Sequence, residues 1–242
     1  MEVIILAGGL GTRLKDVTQS LPKPMAPIGS KPFLEFLLDY LVSHDVYKVI
    51  LSVGYKHEKI SSYFGKRYKS CEILYSLEHE PLGTGGAIRY ALSQTRLENV
   101  VIINGDTFFA VPLHQMMSFH LEHQSDLTLA LKPMTNFDRY GNVILSKTRV
   151  IGFEEKKPQS RGQINGGIYC LNKQIFEELS FPKSFSFETT FIEPYVNKVR
   201  VHGFTSNEYF IDIGIPEDYQ KAQSELESLS FKFNQISRIA ED

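Results

Sequence analysis

The stretch from Glu2 to Met25 constrains this chain more than any other. It reads E-V-I-I-L-A-G-G-L-G-T-R-L-K-D-V-T-Q-S-L-P-K-P-M. The apolar run Val3, Ile4, Ile5 and Leu6 predicts a buried parallel strand. It breaks at Ala7, Gly8, Gly9 and Gly11. Glycines let backbone N–H groups approach a ligand closely, and successive N–H groups of that kind form an anion-holding concavity. Arg13 follows, and Lys23 lies between Pro22 and Pro24, on a stretch the prolines stiffen. A strand, a glycine loop and two fixed cations together predict a site for a polyphosphate.

Two familiar phosphate loops do not fit. The dinucleotide pattern G-x-G-x-x-G would begin at Gly9 and Gly11, but its third glycine is replaced by Leu14. The P-loop needs Gly-Lys-Ser/Thr, which this stretch lacks. What remains is G-G-x-G-T-R-L followed by T-x-x-x-P-K-P-M. That string resembles the signature of the sugar-1-phosphate nucleotidylyltransferases. A bare strand-to-helix turn would not need Arg13 and Lys23 on either side.

At 242 residues the chain can bury a large core. Its formal net charge of −2 gives no general attraction to nucleic acid or to anionic membrane. No nucleic-acid or membrane partner is therefore expected, and an anion site must be local. Cys71 and Cys170 fall inside expected strands and read as small core hydrophobes. Met1 leads straight into the first strand, which leaves no room for a signal peptide. With no apolar run of membrane-spanning length, a cytoplasmic location is expected.

Strands are predicted at Lys48 to Val53, Glu72 to Leu77 and Val100 to Ile103, with helices at Pro32 to His44 and Lys56 to Phe64, and a further helix that follows the glycine loop Leu82 to Gly86 and runs to about Thr95. This βα alternation predicts an α/β fold, a Rossmann-like doubly wound and mostly parallel sheet with ligands at the strands' carboxyl ends. After a helix at Pro112 to His123, four strands (Asp126 to Leu131, Gly141 to Leu145, Val150 to Glu155, Gly162 to Leu171) follow without clear helices between them. They predict a small antiparallel region. Helices at Asn172 to Leu179 and Glu188 to Tyr195, strands at Lys198 to Phe204 and Tyr209 to Ile213, and a helix at Pro216 to Leu229 complete the pattern. One domain over 1–229 is expected, with a nucleotide half (1–110) and a sugar half (111–229), and a polar tail over 230–242. His120 and His123 share a helix face and read as surface histidines.

Asp106 ends one expected strand in G-D-T-F and Asp212 another in F-I-D-I-G-I-P. Mg²⁺ takes one or two carboxylates plus phosphate oxygens and water, so this pair suits it, and the resemblance implies that role for both. The resemblance further implies that Leu6, Ala7, Gly8, Gly9, Gly11, Thr12, Arg13, Lys23 and Gly105 bind the nucleotide, with Gly54, Gly83 and Thr84 framing the base. It implies sugar-phosphate contacts from Glu155, Lys156, Asn165, Gly167 and Glu188. Lys157 separates Lys156 from Pro158, so the Glu-Lys pair fits in two registers one residue apart.

The implied reaction is attack of a sugar 1-phosphate on the α-phosphorus of a nucleoside triphosphate, with Arg13, Lys23 and Lys156 as the catalytic cations. Phosphate monoesters are already anionic near neutral pH, so the task is positioning and charge neutralisation. Across nearly its whole length the chain resembles the short bacterial guanylyltransferases that make GDP-heptose for surface glycans. Its strings also resemble mannose-1-phosphate guanylyltransferases and, less closely, pyrimidine nucleotidylyltransferases for hexose phosphates. Family members are often homodimers. A non-catalytic sensor of nucleotide-sugars should lack one of the aspartates or cations, and a glycosyltransferase should lack G-T-R-L…P-K-P.

Overall fold

The computed structural model describes residues 1–9 and 21–239, and for 177 and 229–239 the backbone alone. In chain order its longer strands are β1 (Glu2–Leu6), β2 (Lys48–Val53), β3 (Cys71–Leu77), β4 (Asn99–Asn104), β5 (Leu127–Phe137), β6 (Asn142–Ser146), β7 (Arg149–Glu154), β8 (Gln159–Asn172) and β9 (Val201–Thr205). Its longer helices are α1 (Phe33–Val42), α2 (His57–Phe64), α3 (Gly83–Leu92), α4 (Leu113–Glu122) and α5 (Pro216–Ile239). They form two compact units. The first comprises Met1–Pro81, Asn104–Phe108 and Ile211–Asp242; the second comprises Leu82–Ile103 and Phe109–Phe210. This division departs from sequential halves at residue 110, because the chain returns to the first unit twice.

In the first unit β1 pairs in parallel with β2, and β2 with β3. Val3, Ile4, Ile5, Val49, Ile50 and Leu51 have no solvent exposure, as an apolar run without alternation requires. Glu2 lies opposite Lys48 in this register, and their side chains form a buried ion pair at 3.2 Å. α1 is buried on nearly every side, Glu35 and Asp39 included. Buried carboxylates need partners. Glu35 meets Lys31 at 2.8 Å and the Tyr63 hydroxyl at 2.9 Å, and Asp39 meets Lys69 at 2.5 Å and the Tyr68 hydroxyl at 2.7 Å.

The second unit is mostly antiparallel. β8 pairs antiparallel with both β4 and β5, β6 with β7, and β7 with β9, while β9 runs parallel to β5. The antiparallel region is thus larger than the sequence suggested. The cause is the length of β5 and β8. β5 continues to Phe137 and β8 begins at Gln159, and their polar ends pair, as at Thr135 and Arg161. Polar alternation does not mark those ends as strand; cross-strand hydrogen bonding makes them so.

Cys71 and Cys170 are free and buried, as expected. Among the described residues no helix is long and apolar enough to cross a membrane. The expected Glu188–Tyr195 helix begins as a π-helix over Phe187–Ile192. The terminal helix continues past Leu229 to Ile239.

His120 is not a surface residue. It is 1% exposed, its Nδ1 lies 2.9 Å from Thr128 Oγ1 and its Nε2 lies 3.0 Å from Asn99 Oδ1. One apolar-spaced helix gives no sign that two strands supply polar partners for its histidine.

Candidate active site

The carboxyl ends of β1, β2 and β3 are tied together by backbone bonds. Ala7 N–H donates to Ser52 O at 2.8 Å, Glu78 N–H to Val53 O at 2.8 Å and Gly105 N–H to Leu6 O at 3.0 Å. Leu6, Ala7, Gly8, Gly54 and Gly105 therefore lie at one end of the parallel strands, where α/β folds bind ligands. Glu78 joins them: Ser52 Oγ donates to its carboxylate at 3.1 Å, and a Cβ on Gly8 would stand 2.8 Å from that carboxylate. Gly9 is exposed. Gly11, Thr12 and Arg13 lie outside the described residues.

Lys23 opens a short 3₁₀ turn, Lys23–Met25, with Pro24 and Met25 buried beneath it. The flanking prolines fix this backbone, and Lys23 Nζ meets Asp106 Oδ2 at 2.6 Å. Ile213 N–H donates to Asp106 O at 3.0 Å, which sets Asp212 on the strand next to Asp106. Burial, then the charge of Asp106, push the Asp212 carboxyl above its ordinary range, against the pull of Lys23 and of Gly214 N–H, which donates to it at 2.8 Å. Two adjacent carboxylates, one of them disfavoured as an anion by the other, form a hard-oxygen donor set that fits Mg²⁺.

The second unit gathers a different set. Gly83 has φ of +66°, and a Cβ there would stand 2.5 Å from Phe185 O. Phe185 N–H donates to Leu82 O at 3.0 Å, and Gly85 N–H to Phe185 O at 2.9 Å. This glycine loop owes its composition to the close passage of residues 183–185: the Phe185 backbone at Gly83, the Phe185 ring at Gly85 and Lys183 O at Gly86. Thr84 Oγ1 accepts the Phe187 N–H at 2.7 Å and donates to Glu188 Oε2 at 3.0 Å.

Gly167, at φ of +73°, sits where the β8–β5 register breaks between Asn165 and Tyr169. Such a bulge re-aims side chains. Asn165 Oδ1 accepts the Gly167 N–H at 3.1 Å, and its Nδ2 donates to the Tyr169 hydroxyl at 2.8 Å. That hydroxyl donates to Glu188 Oε1 at 3.3 Å. Thr84, Asn165, Gly167 and Glu188 thus share one network.

Glu155 and Lys156 are exposed, whereas Glu154 is held. Its carboxylate accepts from Asn142 Nδ2 at 3.2 Å and Gln159 Nε2 at 2.8 Å, with Lys157 at 3.5 Å. The Asn142 bond, then the Lys157 charge, lower its pKa.

Sequence reasoning passed over Tyr169 and Glu78. Tyr169 had a signal, since residues 165, 167 and 169 share a face at strand period. Glu78 had none beyond following an apolar run.

A model of the family Nucleotidyl transferase matches residues 2–228. The chain is 57% identical over 227 residues to the D-glycero-alpha-D-manno-heptose 1-phosphate guanylyltransferase of Aneurinibacillus thermoaerophilus, spanning 94% of this chain and 99% of that protein. It is 47% identical over 220 residues to the protein of the same name from Campylobacter jejuni, spanning 90% and 97%. The solved structure of HddC from Yersinia pseudotuberculosis complexed with GMP-PN matches with a TM-score of 0.83 at 39% identity, over 93% of this chain and 98% of that one.

Proposed function

This chain belongs to the nucleotidyl transferase family, and within it we propose that the protein transfers the guanylyl group of GTP to D-glycero-α-D-manno-heptose 1-phosphate, giving GDP-heptose and pyrophosphate for surface glycan synthesis. The observation that carries the choice of substrates is the whole-length similarity to two bacterial guanylyltransferases for that heptose. The parallel βα strands of the first unit support a Rossmann-like, doubly wound reading of the nucleotide side.

In the reaction a phosphate oxygen of the sugar 1-phosphate attacks the α-phosphorus of GTP. A new O–P bond forms, the bond to the bridging oxygen breaks, and pyrophosphate leaves with its electron pair. Gly8, Gly9, Gly11 and Thr12 would hold the triphosphate through backbone N–H groups. Arg13 would neutralise charge on the departing pyrophosphate. Lys23, anchored at Asp106, would bring a second cation toward the α-phosphate. Asp106 and Asp212 would hold Mg²⁺, which when bound supplies further neutralisation of phosphate charge. Gly54 and Gly83 are proposed on the base side. Lys156 would hold the sugar's phosphate, and Glu155, Asn165, Gly167 and Glu188 its hydroxyl groups. A soluble cytoplasmic homodimer is part of the same reading.

Pyrophosphate release from GTP, CTP, UTP, dTTP and ATP, each paired with heptose, mannose and glucose 1-phosphates, tests it. GTP with the heptose 1-phosphate should give the highest kcat/KM. A pyrimidine nucleotide or a hexose phosphate as the best substrate would overturn the assignment.

A further inference from the structure

Glu188 is held by two hydroxyl donors, Thr84 and Tyr169, from different elements. Thr84 Oγ1 already accepts the Phe187 N–H at 2.7 Å, so its own proton is directed to Glu188 Oε2 at 3.0 Å. The Tyr169 oxygen accepts Asn165 Nδ2–H at 2.8 Å and donates to Glu188 Oε1 at 3.3 Å. Asn165 is itself oriented, because its Oδ1 takes the Gly167 N–H. Ser186 Oγ adds a longer bond to Oε2 at 3.4 Å. An ionised carboxylate offers roughly four acceptor positions. Three donors among the described residues leave room for a hydroxyl from a ligand, and Glu188 is only partly buried.

The backbone beneath is equally fixed. Phe187 is fully buried and meets the Tyr169 ring edge-on at 5.1 Å. Phe176 and Phe191 pack against Phe187 at 6.0 and 5.4 Å. Thr84 stands apart from these contacts. It comes from the start of α3, 104 residues from Glu188 in the chain, and its β-branched side chain is stiff about χ1.

We infer that Thr84 is a positioning residue, whose hydroxyl aims the Glu188 carboxylate at a sugar hydroxyl and so sets the affinity for the sugar 1-phosphate. The inference rests on the proposed function, and it moves Thr84 from the base to the sugar. The side chain reaches the sugar only through Glu188.

Kinetics with each substrate varied in turn test this on the intact protein. Thr84→Val keeps the shape and removes the hydroxyl. It should raise KM for heptose 1-phosphate about 10-fold, the worth of one well-placed hydrogen bond, and leave KM for GTP within about twofold. Thr84→Ser should recover most of the loss. In a Glu188→Gln background, Thr84→Val should add less than about twofold, because residues acting as a unit are not additive. A crystal structure of Thr84→Val without substrate should show the Glu188 carboxylate turned away from Tyr169.

A rise in KM for GTP alone would overturn the inference and return Thr84 to the base. Equal loss in Thr84→Val and Thr84→Ser, or an unmoved carboxylate, would also overturn it. Failure of the proposed function looks different: the wild-type protein would then work best with a pyrimidine nucleotide or a hexose 1-phosphate, or release no pyrophosphate with any sugar 1-phosphate.

Discussion

Asp212 ends its strand with a carboxyl that burial and the neighbouring charge of Asp106 hold above the ordinary pKa range. A raised carboxyl pKa means that the folded protein binds this proton more tightly than the unfolded chain does. The ionised side chain therefore destabilises the fold at neutral pH, and the penalty fades as pH falls through the folded pKa. Asp212→Asn keeps an oxygen able to accept the Gly214 N–H and removes the charge. Thermal unfolding of the metal-free protein at pH 7 should shift upward by a few degrees, with the difference from wild type vanishing in acid. The same variant should lose on the order of 10²–10³ in turnover. A variant both less stable and fully active would remove Asp212 from the proposed metal pair. The position of Asp106 and Asp212 was legible in the sequence, because each follows an apolar run and precedes a turn. The hold of Lys23 on Asp106 was not, since 83 residues separate them and no local pattern encodes that pairing.

Helix α4 carries the next scale. His120 accepts from Thr128 and donates to Asn99 if its proton sits on Nε2, which is the neutral imidazole. Burial lowers its pKa from 6.5 to about 4. Between those values the unfolded chain takes up a proton that the folded protein refuses, so stability present above pH 6.5 is lost as pH falls toward 4. The loss amounts to about 3 kcal/mol at most. Urea unfolding from pH 7.5 to 4.5 should show this fall, and His120→Gln should flatten it by about one proton, whatever it does to stability at pH 7.5. An unchanged slope would place the proton elsewhere. At this scale the sequence was most readable where apolar runs lie between turn signals, as at Lys48–Val53, whose ends are as expected. It was least readable where partners decide. Pro133 sits inside β5 opposite Gln163, and proline argues against a strand until a long neighbour is in place.

Across the whole molecule the chain's order and its division into units disagree. The first unit owns the glycine loop, but it receives Asp106 and Asp212 only through the returning segments Asn104–Phe108 and Ile211 onward. A reading in sequence order puts Asp106 in the first half and cannot see that Asp212 also belongs to the unit that begins the chain. The same return brings α5 against the start of the fold. Ala222 and Leu226 are fully buried and Tyr219 nearly so, at helical spacing on one face. Beside them the Tyr219 hydroxyl and Gln223 Nε2, the latter at 2.7 Å, both donate to Pro27 O, and Gly29 N–H donates to Gln223 Oε1 at 2.9 Å. These bonds fasten the turn just after Lys23–Met25, so the last helix braces the segment that presents Lys23. Tyr219→Phe with Gln223→Ala removes them without emptying the core. Each of these bonds contributes about 0.5–1.5 kcal/mol, so losing all three should lower Tm by roughly 3–18 °C. KM for GTP should rise several-fold while KM for the sugar 1-phosphate stays near wild type, and amide exchange should quicken at Ala26 and Ile28. Equal changes in both KM values would mean that the helix supports the fold as a whole, and that Lys23 does not depend on its turn.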